Sequence, residues 1–456
     1  MSVPTYFQTK TIYCGDCKEV LRKFPNDTID MIYADPPFFS NRHYEVIWGD
    51  GYELRAFEDR WKGGINNYVE WMTVRLAECY RVLKPNGSMY LHCDQHASHH
   101  LKVEMDKYFG EKGFINEIIW KRQAAHSDTK QGAKHYGRLH DTILFYTKSD
   151  HYTWNQQYQP YSEDYIKNFY RHIEPNTMRK YRVDNLTAAK PGGDTSYEWK
   201  GVKPYKGRYW AYSRAKMEQF EKEGRLIYSR SGIPQYKRYL DEMPGVGLQD
   251  VWDDISPAGI GKEAQGYPTQ KPEALLERII KSSSNPQDLV LDPFCGCGTT
   301  LVEAQKLGRE WIGIDVSPTA CNLMEQRLRK MGFSPQIAGM PMIEEDLGKL
   351  PPFEFQNWVV RRLYGRVSTR KSSDMGIDGF TFEGYPVQVK QSEDVGRNVI
   401  DNFETAMRRQ KAKKGVIVAF SFGKGAYEEI ARAKLHEELE IEAITVKDLL
   451  KNQERS

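Results

Sequence analysis

The tetrapeptide Asp35-Pro36-Pro37-Phe38 gathers in one turn the groups needed to make a weak amine attack. An exocyclic base amine is a poor nucleophile because its lone pair is delocalised into the ring. A carboxylate and a carbonyl that each accept one amine hydrogen draw the nitrogen toward tetrahedral geometry, and the Asp35 carboxylate and Pro36 carbonyl can do this. Pro36 and Pro37 stiffen the loop. Phe38 offers a face on which a base flipped from a duplex can stack. A second string, Asp292-Pro293-Phe294-Cys295-Gly296-Cys297-Gly298-Thr299-Thr300, has glycines where a backbone must come close to a ligand. The acid at Asp315 can then hydrogen-bond two ribose hydroxyls. Asp292 opening the loop would repel a pyrophosphate and suits the cationic amino-acid end of S-adenosylmethionine. A third set, Asp378 with Gln388 and Lys390, offers an acid and a carbonyl-type oxygen for Mg²⁺ and a cation to steady phosphate charge. Taken singly, each string also reads as an ordinary turn or hairpin.

The elements that must position these residues are legible on either side of them. Ile29, Met31, Ile32, Tyr33 and Ala34 form an apolar run stopped by Pro-Pro, which predicts a buried strand with Asp35 at its carboxyl end. Helical spacing over 68–82, a turn at 84–87 and a strand over 88–92 follow. A strand over 289–292, a helix over 299–307 and a strand over 311–315 make a βαβ unit. Ligands collect at the carboxyl ends of strands in such sheets, so the first two strings can meet although they are far apart in the chain. Between the units, residues 151–255 lose the alternation and become rich in aromatic residues, Lys and Arg, including Tyr205, Lys206, Arg208, Trp210, Arg214, Tyr236, Lys237 and Arg238. That composition suits phosphate and base contacts, or an aromatic core with a basic rim.

The expected organisation is therefore 1–150 as a catalytic part, 151–255 as an insertion, 256–332 as a cofactor part, 333–352 as a Pro- and Gly-rich linker, and 353–456 as a separate α/β domain. The chain has 456 residues, 39% of them hydrophobic, which is enough for more than one sizeable core. A net charge of +3 neither requires nor excludes a polyanion. Seven cysteines at irregular spacing suit a reducing compartment. Without a signal-like or membrane-spanning apolar run, the reading is a cytoplasmic, soluble protein with no membrane partner. Cys14 and Cys17 lack a second pair, and His92, Cys93, His96, His99 and His100 fall around a core strand, so no zinc site is expected.

The string Asp292 to Thr300 resembles the cofactor motif of amino-group DNA methyltransferases. Tyr267-Pro268-Thr269-Gln270-Lys271-Pro272, followed by Leu275, Leu276, Ile279 and Ile280, looks like the helix that closes their cofactor pocket. The resemblance covers residues 1–330. It implies that Lys271, Asp292, Phe294, Gly296, Gly298, Thr299 and Asp315 line an S-adenosylmethionine site and that Gly15, Asp16 and Cys17 flank its adenine. The order of catalytic motif, insertion and cofactor motif is similar to the beta class. Asp-Pro-Pro-aromatic implies methylation of adenine N6 in double-stranded DNA, with cytosine N4 as the alternative; a homodimer is allowed for.

Gly376-Ile377-Asp378-Gly379 before Val387-Gln388-Val389-Lys390 resembles the PD-(D/E)xK nuclease fold in its Mrr-type form, with Gln388 in place of the second acid. That resemblance implies a Mg²⁺ site at Asp378 and Gln388, weakened by one missing charge, with Glu354 on the preceding helix as a further acid. Cleavage of DNA, or only docking of DNA or a partner through Arg361, Arg362, Arg366, Arg370 and Lys371, are both open. The fold class expected is α/β: a doubly wound Rossmann-like methyltransferase sheet with an inserted target-recognition region, plus a smaller nuclease-type domain and a restriction-modification role.

Overall fold

Buried strands alternating with amphipathic helices build a nine-stranded sheet in the computed structural model. The structure describes residues 6–38, 43–47, 53–58, 64–122, 134, 136–258, 270–341, 343–368 and 376–451. Tyr267, Pro268, Thr269, Arg370 and Lys371 lie outside the described residues. From one edge to the other the sheet runs Val251–Trp252, Phe114–Lys121, His140–Thr147, Leu83–Cys93, Ile29–Ala34, Leu289–Asp292, Glu310–Asp315, Thr11–Cys14 and Gln336–Ala338. His140–Thr147 runs antiparallel to both neighbours, and the other pairings are parallel.

Helices cover both faces, which is why these strands are continuously apolar. Along Ile29–Ala34, Ile32 and Ala34 enter one core while Met31 and Tyr33 enter the other, as the two-residue period of a strand requires. Helix Glu273–Ser283 buries Leu275, Leu276, Ile279 and Ile280 completely, each worth about 1.5–3 kcal/mol relative to exposure. The register joins the two chemical strings: Val290 pairs with Met31 and Leu291 with Ile32. The two central strands therefore end side by side, with Asp35 and Asp292 at the same edge of the sheet.

Three features differ from the sequence reading. The turn at 84–87 is absorbed into the strand Leu83–Cys93 as an irregularity, because Ile29 pairs with Leu83 while Met31 pairs with Ser88. Val251–Trp252 and Gln336–Ala338, assigned from composition to insertion and linker, are edge strands of the main sheet. Two or three residues are too few to show a period, so the prolines and glycines around them dominated the signal. A hairpin of His43–Ile47 and Glu53–Glu58 was also not legible.

Residues 343–451 contain a five-stranded sheet in chain order: Arg366–Val367, Gly379–Phe380, Pro386–Lys390, Lys414–Ala419 and Glu440–Thr445. Its last two pairings are parallel. Phe355, Val359 and Val360 of helix Pro352–Arg362 pack with Val387, Val416 and Val418 on one face, and Ile400, Phe403 and Met407 of helix Arg397–Arg409 pack against the other.

Residues 156–249 form a unit of their own. Its four-stranded antiparallel sheet and a core of Leu186, Trp199, Trp210, Met217 and Phe220 make part of the aromatic content structural. Some of its cations are already paired: Lys237 lies 3.0 Å from Glu174 and Arg238 lies 2.5 Å from Asp184. Tyr205 is exposed.

Candidate active site

A cavity of about 300 Å³ opens where the two central strands end. Asp35, Pro36, Pro37 and Phe38 line it together with Asp16, Cys17, Lys271, Asp292, Phe294, Gly296, Thr299 and Asp315. Gly298 alone among the residues chosen for this site stays behind the wall. It is left-handed at φ +79°, caps helix Thr299–Lys306, and a Cβ there would fall 2.6 Å from Met324 Cγ. Its role is to let the loop turn tightly against the helix Pro318–Lys330.

Acids held by backbone amides dominate one side of the cavity. Asp292 accepts the Phe294 amide at 3.0 Å and the Thr300 hydroxyl at 2.5 Å. Asp315 accepts the amides of Gly296 at 2.8 Å and Ser317 at 2.9 Å. Burial pushes Asp292 up to about 7, against those hydrogen bonds and helped by the charges of Asp35 and Asp315. Burial likewise pushes Asp315 up to about 6. A cation entering this space recovers the ionised form of both acids, whereas a phosphate would add to the repulsion. The donor set therefore fits a ligand that carries positive charge and hydroxyl groups, as S-adenosylmethionine does.

Lys271, read from the resemblance as a cofactor residue, lines the same cavity and reaches the Asp35 carboxylate. Its Nζ lies 2.5 Å from Oδ2, and the side chains are 9% and 15% exposed. Oδ1 of Asp35 is buried without a hydrogen-bond partner. The Lys271 ammonium also stands 4.8 Å from the Phe38 ring centre. The Tyr68 hydroxyl donates to the Pro37 carbonyl at 2.7 Å, which anchors the stiff loop to helix Ile65–Val82.

Two groups at this site were not found from sequence. Buried Arg75 pairs with Asp16, donates to the Trp71 carbonyl and lies 3.6 Å over the Trp71 ring, so the carboxylate flanking the cavity is fixed by a cation from the helix. The available signal was a charge within the apolar stripe of Tyr68, Met72, Leu76 and Cys79. Behind Phe38 the His92 ring stacks at 5.5 Å, and its Nδ1 and Nε2 meet the Tyr33 hydroxyl at 2.8 Å and Asp141 at 3.3 Å. Burial raises Asp141 but the hydrogen bond to His92 and the nearby cations outweigh it, leaving the group below its ordinary range. Phe38 thus rests on a braced polar network that no local pattern reveals.

In the second sheet the backbone N–H of Asp378 donates to the Val387 carbonyl at 2.8 Å, and its carboxylate accepts the Val389 amide at 2.7 Å. Gln388 is 1% exposed, and its Oε1 has no hydrogen-bond partner. Burial pushes Asp378 up to about 6, and the Lys390 charge opposes the shift. Asp378, Gln388 and Lys390 therefore come together. Glu354 does not join them. Its Oε1 accepts the Ser317 hydroxyl at 2.5 Å, while Gln356, two residues on, donates to the Asp378 carbonyl at 2.9 Å. Residues i and i+2 of a helix face nearly opposite ways, so an acid expected beside Asp378 points away from it and a neutral amide takes that side.

A Rossmann-like sheet thus carries the Asp35-to-Phe38 loop and the acidic glycine loop from Asp292 at the ends of its central strands, around one cavity. The chain belongs to the DNA methylase family that acts at N6 or N4, which matches residues 29–326. It is 32% identical over 303 residues to the type II methyltransferase M.EcaI of Enterobacter cloacae, covering 65% of this chain and 64% of that one, slightly less than two thirds of the relative's length. It is 30% identical over 328 residues to the DNA adenine methyltransferase YhdJ of Escherichia coli (strain K12), covering 71% of this chain and 85% of that one. It is 29% identical over 331 residues to the Mod subunit of the type III restriction-modification enzyme StyLTI of Salmonella typhimurium, covering 65% and 50%. Residues 348–451 match the Mrr-type family described as restriction endonuclease. Among the described residues no helix is long and apolar enough to cross a membrane.

Proposed function

We propose that this chain transfers a methyl group from S-adenosylmethionine to the N6 amino group of an adenine at a specific site in double-stranded DNA. The observation that carries this reading is the shared cavity: the Asp35-to-Phe38 loop and the acidic loop from Asp292 line one space. When bound, S-adenosylmethionine supplies an electrophilic methyl group on a positively charged sulfur. Asp315 is suited to its ribose hydroxyls, Asp292 to its ammonium group, and Asp16 and Cys17 to the edge of its adenine.

Phe38, braced by His92, offers the face on which the extruded target base stacks. The unpartnered Oδ1 of Asp35 and the Pro36 carbonyl accept the two amine hydrogens, which localises the nitrogen lone pair. Lys271 holds Oδ2 and so fixes the orientation of the carboxylate that this acceptance needs. Held this way, the nitrogen would take the methyl group that the donor supplies and would then release one proton to water. The aromatic and basic surface of residues 156–249, with Tyr205 exposed, suits contacts to the DNA target.

Labelled methyl transfer into unmethylated DNA, followed by identification of the modified base, tests this. N6-methyladenine from the wild type and about 100-fold less from Asp35→Ala supports the reading. N4-methylcytosine, or transfer unaffected by Asp35→Ala, overturns it.

For residues 348–451 we infer a weak Mg²⁺ site at Asp378 and Gln388, supported by the unpartnered Gln388 Oε1. One carboxylate and one amide oxygen leave most of the coordination to water and substrate. Cleavage of unmethylated plasmid with Mg²⁺, lost in Asp378→Ala, would make this region a nuclease; intact plasmid at every Mg²⁺ concentration would leave it a DNA-docking domain.

A further inference from the structure

Glu354 lies in the region that matches the endonuclease family, yet its side chain is spent on the methylase side of the chain. It is 2% exposed. Its Oε1 accepts the Ser317 hydroxyl, and its Oε2 is buried with no hydrogen-bond partner. Ser317 is itself a junction. Its hydroxyl accepts the Ala320 amide at 3.0 Å and so caps helix Pro318–Lys330, while its own amide donates to Asp315 Oδ1 at 2.9 Å. Both Asp315 and Ser317 line the cavity. A chain of direct contacts therefore runs from Glu354 through Ser317 to the acid suited to the ribose.

We propose that Glu354 is a positioning residue for the methyl-donor site, contributed by the endonuclease-family region, so that donor binding and the docking of that region are thermodynamically linked. This rests on reading the cavity as a methyl-donor site.

With its acceptor in place, the Ser317 hydroxyl points at Glu354 and keeps its lone pair for the Ala320 amide, which holds the 315–317 turn in one arrangement. With Glu354 removed, the buried hydroxyl loses its acceptor, and the turn that aims Asp315 is less constrained. Linkage is reciprocal: whatever donor gains from the ordered turn, the docked helix Pro352–Arg362 gains from bound donor. Burial pushes Glu354 up to about 7, with Asp315 adding to the shift and Ser317, Thr319 and Arg361 opposing it. Glu354→Gln is accordingly a close mimic of the protonated side chain and keeps the Oε1 acceptor, whereas Glu354→Ala removes it.

The test is amide hydrogen exchange of residues 352–362 in the full chain, with and without S-adenosylhomocysteine, alongside calorimetric titration of the same compound. In the wild type and in Glu354→Gln, the bound compound should slow exchange in that helix severalfold. In Glu354→Ala and Ser317→Ala the slowing should disappear, and affinity should fall by about 3–10-fold. Binding with no change in helix exchange in the wild type, which needs no variant to fold, overturns the linkage alone. Undiminished affinity in Glu354→Ala overturns the positioning role. If the compound does not bind at all, the donor-site reading fails and this proposal with it.

Discussion

Replacing Lys271 by methionine keeps the length of the side chain and removes the charge that faces Asp35. Nζ and Oδ2 are 2.5 Å apart, with exposures of 9% and 15%. Two unit charges about 4 Å apart attract by about 4 kcal/mol at an effective dielectric constant of about 20. Water reaches the pair from the cavity, so about half of that, about 2 kcal/mol, is the working figure after screening. It corresponds to about a 30-fold change in a rate or equilibrium constant. In Lys271→Met the carboxylate keeps its buried, unpartnered Oδ1 and loses the cation on Oδ2. It is no longer held in one orientation and accepts the amine hydrogens less well. Methyl transfer at saturating donor should therefore fall by about 10–30-fold, with donor affinity little changed. The assay is labelled methyl transfer into unmethylated DNA at saturating donor, alongside calorimetric titration of S-adenosylhomocysteine. A rate that stays unchanged while donor affinity alone weakens would refute the pairing and return Lys271 to the cofactor.

Stability should depend on pH through the buried acids. Asp292 and Glu354 are pushed up to about 7, and Asp315 and Asp378 to about 6, so the folded chain keeps protons that the unfolded chain has lost above about pH 4. Stability therefore falls as pH rises from about 4 through about 7, and the melting temperature of the free protein at pH 8 should lie about 2 °C or more below that at pH 5.5; a flat or rising profile would sink the idea. S-adenosylmethionine, being cationic, should raise the melting temperature more at pH 8 than at pH 5.5. Gly298→Ala should cost about 1–3 kcal/mol in urea unfolding, because φ is +79° and the new methyl meets Met324 at 2.6 Å. Adding Met324→Ala relieves only the contact and leaves the backbone strain, and an unchanged midpoint in the single variant would contradict the tight-turn role.

The catalytic and cofactor strings were legible because they impose local demands. A run of apolar residues must end where two prolines follow, and a left-handed turn at φ +79° packed against Met324 favours a glycine. The strands Ile29–Ala34, Leu289–Asp292 and Glu310–Asp315 follow from patterns readable over a handful of residues, and the helix Glu273–Ser283 from the family resemblance. Edge strands of two or three residues carry no such period, which is why Val251–Trp252 and Gln336–Ala338 were read as insertion and linker.

Which acid or cation each functional side chain meets was decided only by the tertiary structure. The family resemblance placed Lys271 near the cavity; the tertiary structure placed the Asp35 carboxylate within its reach. Arg75 under Asp16 and His92 behind Phe38 pair residues 59 and 54 positions apart, separations on which hydrophobic periodicity is silent. For Glu354 and Gln356 the sequence supplied a helix bearing polar residues two positions apart, and the packing of that helix determined which one faces Asp378 and which one faces Ser317. Residue type and spacing thus specified the chemistry available to this chain. Desolvation and partner choice at sheet edges and helix contacts, which depend on distant segments arriving together, specified where that chemistry is held.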